Sequence, residues 1–380
     1  MAVSERFFTI LFTPPQKKPY ICDHQLFTFK SMKKSRFYVL CLALIVALTP
    51  LSAQEISYSV KKIWGDGTSH CAFTSLIHYK GNYYCTFREG ASHIFDKEGK
   101  AEGKIRILSS PDGETWESVA LVGKDGCDFR DPKLSIMPDG RMLVNFVASI
   151  YRDRKIQSRH PYVMFSTDGK TYTEPEMAKL DKKLTSNLDW IWRVTWHDKT
   201  GYAVSYNKSS KGDKKYTEAW LLKTKDGKRY NVVSQLDIDN FPNEATIRFL
   251  PDGRMVCMIR RERGDRQGLF GISEAPYKEW TWKKMGFQLG GQDFLYLNDD
   301  RIIMCSRSSA IKKATKTCVY KGTNNGRFEE ILVLPSGGDC SYPGMLIVGD
   351  ELWISYYSTH ATRRAAIYLA KIPLKTLEAL

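Results

Sequence analysis

Long apolar runs, strong helical periodicity and metal-ligand spacings are all missing from this chain of 380 residues. The apolar stretch from Phe37 to Leu48 is too short to anchor stably across a bilayer, so no stable membrane insertion is expected. No phosphate loop, dinucleotide fingerprint or histidine-rich ligand spacing occurs, so no cofactor and no metal are expected. Cysteine is sparse. Seven of the 9 lie beyond residue 53: Cys71, Cys85, Cys127, Cys257, Cys305, Cys318 and Cys340. Their odd number, without short repeated spacings, argues against a disulfide framework or a zinc site, and their apolar settings suit buried free thiols.

The two ends of the chain differ in character. Met32-Lys33-Lys34-Ser35-Arg36 is a basic segment, Phe37 to Leu48 an apolar one, and Leu51-Ser52-Ala53 a small-residue site before Gln54. This is the pattern of a cleaved signal peptide. Residues 1–53 are therefore expected to be an extension plus signal, with Met32 as the true start. Residues 54–380 are expected to form one secreted or periplasmic domain. The formal charge of +15 falls with this segment, because seven of 57 basic and two of 42 acidic residues precede position 54, leaving +10. The basic residues are scattered rather than run together, so no nucleic-acid partner is expected, whereas an anionic small substrate fits. The domain is expected to be monomeric.

Short alternating or apolar runs punctuated by turn dipeptides fill the rest, which argues for an all-β fold. Three segments share one pattern: Ser110-Pro111-Asp112-Gly113-Glu114-Thr115-Trp116, Ser166-Thr167-Asp168-Gly169-Lys170-Thr171-Tyr172 and Thr224-Lys225-Asp226-Gly227-Lys228-Arg229-Tyr230. Asp and Gly set a tight turn, the Ser or Thr and Asp side chains bond its backbone, and the aromatic pins the hairpin. The period, about fifty to sixty residues, is that of one four-stranded propeller blade. Six such units can be aligned, with inner strands beginning near Phe73, Asp131, Arg193, Glu244, Asp293 and Tyr342. The last unit lacks its fourth strand, and the unpartnered segment Ile56 to Ile63 is expected to supply it and close the ring.

Inner strands of a propeller all start at one mouth of the central channel. Asp131, Arg193, Glu244, Asp293 and Tyr342 are thus expected to converge, and charges recurring there suggest a site. Seven residues after the inner-hairpin turn of three units come Arg88, Arg260 and Arg307. Three guanidinium groups at one address make sense around a bound carboxylate.

The three repeats resemble the Asp-box of the sialidase superfamily, and the first copy matches at every position. Asn243-Glu244 followed by Asp252-Gly253-Arg254 and Arg260 resembles the family segment bearing the glutamate partner and the second arginine. Ser341-Tyr342-Pro343-Gly344-Met345-Leu346 resembles the segment of the nucleophilic tyrosine, and Arg307 falls where the third arginine belongs. The resemblance implies a six-bladed exo-glycosidase acting with retention on a terminal acidic sugar. In it Tyr342 is the nucleophile, Glu244 takes its proton, and Arg88, Arg260 and Arg307 hold the carboxylate. The first-blade arginine of the family is absent: Cys71-Ala72-Phe73-Thr74 stands there, with Arg88 or Arg193 as its replacement. The loop of the family's acid aspartate holds His93 and Asp96, so Asp96 is the expected general acid and His93 or Asp131 its substitutes. Phe129-Arg130-Asp131-Pro132 is similar to the Arg-Asp-Pro of five-bladed furanosidases, which supports Asp131 as a site residue. Two alternatives stay open: β-elimination at a uronate, with tyrosine and His70, His93 or His360, and a propeller that binds acidic glycans without turnover.

Overall fold

The computed structural model describes residues 57–184, 186–211, 214–308 and 315–379. The expected signal segment lies outside the described residues. The domain is an all-β, six-bladed propeller, each blade an antiparallel sheet meandering from the channel outward, with the short strand Lys179–Leu180 added in parallel at the outer edge of blade 3. Blade 1 runs His70–Tyr79, Asn82–Gly90, Lys104–Ser110 and Glu117–Val122, and blade 2 begins with Asp128–Ile136 and Met142–Arg152. In blade 3 the inner strand is split into Asp189–Ile191 and Thr195–His197, both paired with Thr200–Lys211. Blades 4 and 5 open with Pro242–Phe249 and Asp293–Tyr296. Blade 6 takes three strands from the C-terminal end, Cys340–Val348, Glu351–Ser358 and Ala366–Pro373, and its outer strand, Ser59–Trp64, from the N-terminal end. The expected ring closure is therefore present.

The three repeated turns are built as their residue types dictate. Ser110 Oγ, Ser166 Oγ and Thr224 Oγ1 accept the N–H of Gly113, Gly169 and Gly227 at 2.8, 2.8 and 2.9 Å. Asp112, Asp168 and Asp226 each accept the two backbone N–H groups that follow the glycine, at 2.8–3.0 Å. Each glycine sits at φ between 71° and 76°. A Cβ on Gly113 would strike Trp353 of blade 6 at 2.2 Å, and one on Gly169 would strike Tyr84 of blade 1 at 2.0 Å. The turn thus sets the spacing between blades as well as closing a hairpin. A fourth, degenerate copy escapes the sequence pattern: Thr323-Asn324-Asn325-Gly326-Arg327-Phe328 has Asn for Asp and its aromatic one position early, yet Asn325 Oδ1 accepts the Arg327 N–H at 2.8 Å.

The apolar core is divided among the blade interfaces. One cluster joins Tyr84 and Ile107 of blade 1 to Phe129 and Val144 of blade 2, and corresponding clusters follow around the ring. Such division lets the channel mouth be polar at little cost to packing, since each sheet already buries both faces. All seven cysteines of the domain are buried and free. Among the described residues no helix is long and apolar enough to cross a membrane.

Candidate active site

Four inner strands break register at the same height, between Ala72 and Ser75, Arg130 and Lys133, Pro242 and Ala245, and Ser341 and Gly344. Three of these breaks hold a non-glycine residue in the left-handed region: Phe73 (φ 69°), Asp131 (48°) and Tyr342 (53°). Such a bulge frees a residue from the ladder and re-aims its side chain. Pro132 and Pro343, which have no N–H to offer, follow two of the three. Of the five residues expected to converge, Asp131, Glu244 and Tyr342 lie at these breaks, whereas Arg193 and Asp293 do not.

At the centre, Tyr342 Oη donates to Glu244 Oε1 at 2.5 Å. Arg260 Nη1 donates to the same carboxylate oxygen at 2.8 Å and to Tyr342 Oη at 3.1 Å. The other oxygen, Glu244 Oε2, accepts the Gly291 N–H at 2.8 Å. The Arg307 guanidinium lies 5.6 Å from the Tyr342 ring centroid and makes no hydrogen bond among the described residues. Phe73, Trp192 and Tyr357 surround that ring at 5.0, 5.9 and 6.0 Å. Gly291 (φ 61°) makes the fit possible, because a Cβ there would stand 2.3 Å from Tyr342 Cγ.

The charges follow from these contacts. Burial opposes ionisation of Glu244, but Arg260 and the bond from Tyr342 outweigh it and hold the carboxyl below its ordinary range. Burial, then the Glu244 charge, push the Tyr342 phenol up, against Arg260 and Arg307. The resting pair is therefore a neutral phenol donating to a carboxylate. Asp131 lines the same mouth. Its Oδ1 is buried without a partner, and burial raises its carboxyl against the pull of Arg130 and Lys133.

Beneath the mouth, Arg193 and Asp293 meet each other: Arg193 Nη2 lies 3.2 Å from Asp293 Oδ2, and Arg248 Nη2 lies 2.6 Å from Oδ1. Both were expected to touch substrate; instead they pair with each other, with Arg248 on the second carboxylate oxygen. Buried Lys133 joins this layer, donating to the Thr74 carbonyl at 3.1 Å and lying 4.7 Å from the Trp192 ring. Burial and Arg193 push its ammonium down to about 7.

Two expected residues are not brought to the centre. Arg88 is 1 % exposed, its Nε donating to Asp128 Oδ1 at 2.7 Å and its Nη1 to the Ser92 carbonyl at 2.7 Å. Its shared address with Arg260 does not survive, because an acidic neighbour from blade 2 captures the guanidinium first. Asp96 closes its own turn, accepting the Lys100 N–H at 2.8 Å, and touches none of the central residues. His93, three residues earlier, is brought there: its ring meets Phe73 edge-on at 5.3 Å, and its carbonyl accepts from Arg130 Nη1 at 3.1 Å. His360 instead bonds Ser358 Oγ at 2.9 Å and packs on Tyr368.

Sequence reasoning missed Arg130 and Asp339. Arg130 lies 5.2 Å from the Phe73 ring centroid and donates to Asp128 Oδ2 at 3.0 Å, while its Nη2 has no partner among the described residues. It stands beside Phe73, where the first arginine of the resemblance was wanting, and its adjacency to Asp131 was the available signal. Asp339 accepts from Tyr357 Oη at 2.7 Å and contacts His70 and His93 at 2.9 and 2.7 Å. Its place three residues before Tyr342, on the same rim, was the only hint in the sequence.

No protein-family model matches the chain, and no curated protein matches it by sequence. Solved structures do share its fold. A Dyadobacter fermentans protein of unknown function is 20% identical with a TM-score of 0.70, covering 83% of this chain and 99% of its own. Trypanosoma rangeli sialidase in its covalent complex with 2,3-difluorosialic acid is 11% identical with a TM-score of 0.66, covering 85% of this chain and 59% of its own. Penicillium chrysogenum α-L-arabinanase with arabinobiose is 14% identical with a TM-score of 0.62, covering 84% and 99%. The domain therefore has the propeller architecture found among glycoside hydrolases, and this chain spans little more than half the length of the sialidase.

Proposed function

We propose that this protein is a retaining exo-glycosidase that removes a terminal acidic sugar from glycans. One observation carries the reading: a buried tyrosine donating to a carboxylate at 2.5 Å, with one arginine bonded to both. A propeller needs no such dyad for stability, and a binding protein has no use for a poised proton acceptor beside a phenol. Tyr342 Oη attacks the anomeric carbon as its proton passes to Glu244. The glycosidic bond breaks, leaving the sugar on Tyr342, and water then releases it with the configuration retained. Arg260 keeps Glu244 ionised and stabilises the phenolate as it forms. A neutral nucleophile suits an anomeric centre that already carries a carboxylate, which would repel an Asp or Glu.

Arg307, Arg260 and the free Nη2 of Arg130 supply the carboxylate-binding edge, and Asp131 meets a sugar hydroxyl at the mouth. The likeness in fold to a sialidase caught as a covalent intermediate supports the chemistry, while the arabinanase shows that the architecture also serves neutral sugars. The test is a panel of fluorogenic glycosides of N-acetylneuraminic acid, glucuronic acid and arabinose, followed by a 2,3-difluoro analogue of the best acidic substrate. Mass spectrometry is expected to find the adduct on the Tyr342 peptide, and Tyr342→Phe to be unlabelled and inactive. Turnover of arabinosides alone, or full activity in Tyr342→Phe, would overturn the assignment.

A further inference from the structure

The loop between the second and third strands of blade 1 carries His93 to the rim, and its partner waits on the turn before blade 6. Asp339 Oδ2 lies 2.7 Å from His93 Nδ1 and 2.9 Å from His70 Nε2, while Oδ1 accepts from Tyr357 Oη at 2.7 Å. Burial opposes ionisation of Asp339, but these donors outweigh it and hold its carboxyl far below the ordinary range. A carboxylate only accepts, so Nδ1 of His93 is the donor and Nε2 is the nitrogen left free. His70 is buried, which disfavours its charged form, and it serves as a fixed neutral prop.

We propose that His93, oriented by Asp339, is the general acid and base of this site; the proposal rests on the glycosidase reading above. As the glycosidic bond breaks, Nε2–H of the His93 imidazolium gives its proton to the departing oxygen, which leaves as an alcohol. When water attacks the sugar held on Tyr342, Nε2 takes a proton from it, the phenolate leaves, and Glu244 returns its proton to the tyrosine. Protons and charges balance over the cycle, with no further reactant.

Position decides between His93 and the two acids. The departing glycan must lead out to solvent, so its proton donor belongs at the rim. The His93 side chain is 46 % exposed. Asp131 is 4 % exposed, at the floor of the mouth. Asp96 is spent on its own turn. The chain from His93 to Phe73 to Tyr342, ring to ring at 5.3 and 5.0 Å, sets the acid beside the nucleophile with an apolar face between them. The groups facing His93 are the charged Asp339 and Arg130, the neutral His70 and the carboxyl of Asp131. The same three ligand atoms could take a divalent ion, since they lie within 4.8 Å of one another. Ligands about 2.1 Å from a tetrahedral zinc stand about 3.4 Å apart, however, and the two contacts here have hydrogen-bond lengths.

The experiment compares 4-nitrophenyl and methyl glycosides of N-acetylneuraminic acid and of glucuronic acid, with wild type, His93→Gln and Asp339→Asn. Nitrophenolate needs no proton to leave, whereas methanol does. His93→Gln is expected to lose about 10²–10⁴-fold on the methyl glycoside and under about tenfold in the glycosylation of enzyme by the nitrophenyl one. Azide is expected to restore its turnover as the glycosyl azide. Asp339→Asn should shift the pH–rate profile and fall between the two, with its melting temperature showing that it folds. Equal losses on both leaving groups, or activity abolished by chelation and restored by zinc, would overturn the assignment. Failure of His93→Gln to discriminate while Tyr342 is still labelled removes His93 alone; absence of labelling in wild type removes the glycosidase reading with it.

Discussion

At the scale of single residues, the site shows how one residue type can be used for opposite ends. Arg307 and Arg88 follow their turns by the same count, yet one faces the mouth unbonded and the other is sealed against Asp128. Arg307→Ala is expected to raise KM for an acidic glycoside, the lost charge-assisted pair costing about 2–5 kcal/mol, with little change in melting temperature. Arg88→Ala should do the reverse. It strips a buried partner from Asp128, for about 3–5 kcal/mol of stability by denaturant titration, and leaves KM for the folded fraction unchanged. Gly291→Ala belongs with Arg88 in mechanism but with Tyr342 in effect. Its Cβ would collide with Tyr342 Cγ at a φ that side chains resist, so about 1–3 kcal/mol of stability and most of kcat should be lost together.

At the scale of elements, the Asp-box turns explain how much of this fold could be read from sequence. A turn whose Asp and Ser bond their own backbone is specified locally, so its chemistry is visible in seven residues, and three copies reveal the blade period. The inner-strand starts were visible for the same reason. What decides the partners of a side chain after it leaves the strand is not local. Asp128 capturing Arg88, and Asp339 joining two histidines from another blade, depend on which rim loops meet, and no repeat encodes that. The fourth turn was hidden by chemistry alone, because Asn325 does the work of Asp at a site where the aromatic is displaced. The turns also fix a pH response. Hydrogen bonds to backbone N–H groups hold Asp112 and Asp168 below the ordinary carboxyl range, and do the same for Asp226 against some burial. A depressed folded value means stability that is present above the unfolded value, near 4, and lost as pH falls through the folded one. Melting temperature should therefore drop steeply below about pH 4, and the triple Asp→Asn variant at 112, 168 and 226 should show a shallower acid limb. An unchanged limb would mean that other carboxylates carry it.

At the scale of the whole molecule, the site depends on the ring being closed. Tyr342 and Glu244 stand on blades 6 and 4, and the inner strands between and around them are stitched by buried bonds. Gln292 Nε2 donates to the Glu244 carbonyl at 2.8 Å, and Thr74 Oγ1 donates to the Tyr342 carbonyl at 2.9 Å. Removing residues up to Trp64 would leave Ala366–Pro373 without its outer partner and let blade 6 tilt from blade 1. Such a truncation is expected to bind fluorescent apolar dye, melt at least about 10 °C lower, and lose turnover out of proportion to its folded fraction.

Closure also has a meaning in time. Ser59 pairs with Lys371 and Trp64 with Ile367, so the earliest strand of the domain to be synthesised waits for almost the last. Five blades can form in order as the chain emerges, each from neighbours in sequence, but the sixth is a union of both ends. Tyr342, the proposed nucleophile, sits on that late blade. The Tyr342–Glu244 pair is thus incomplete until the last blade has been made, and the chain's own topology serves as its completeness check. A circular permutant opened between blades 3 and 4, with the present ends joined, would put Glu244 on the first blade made and Tyr342 on the third, so both would emerge before the new seam, between blades 3 and 4, could close.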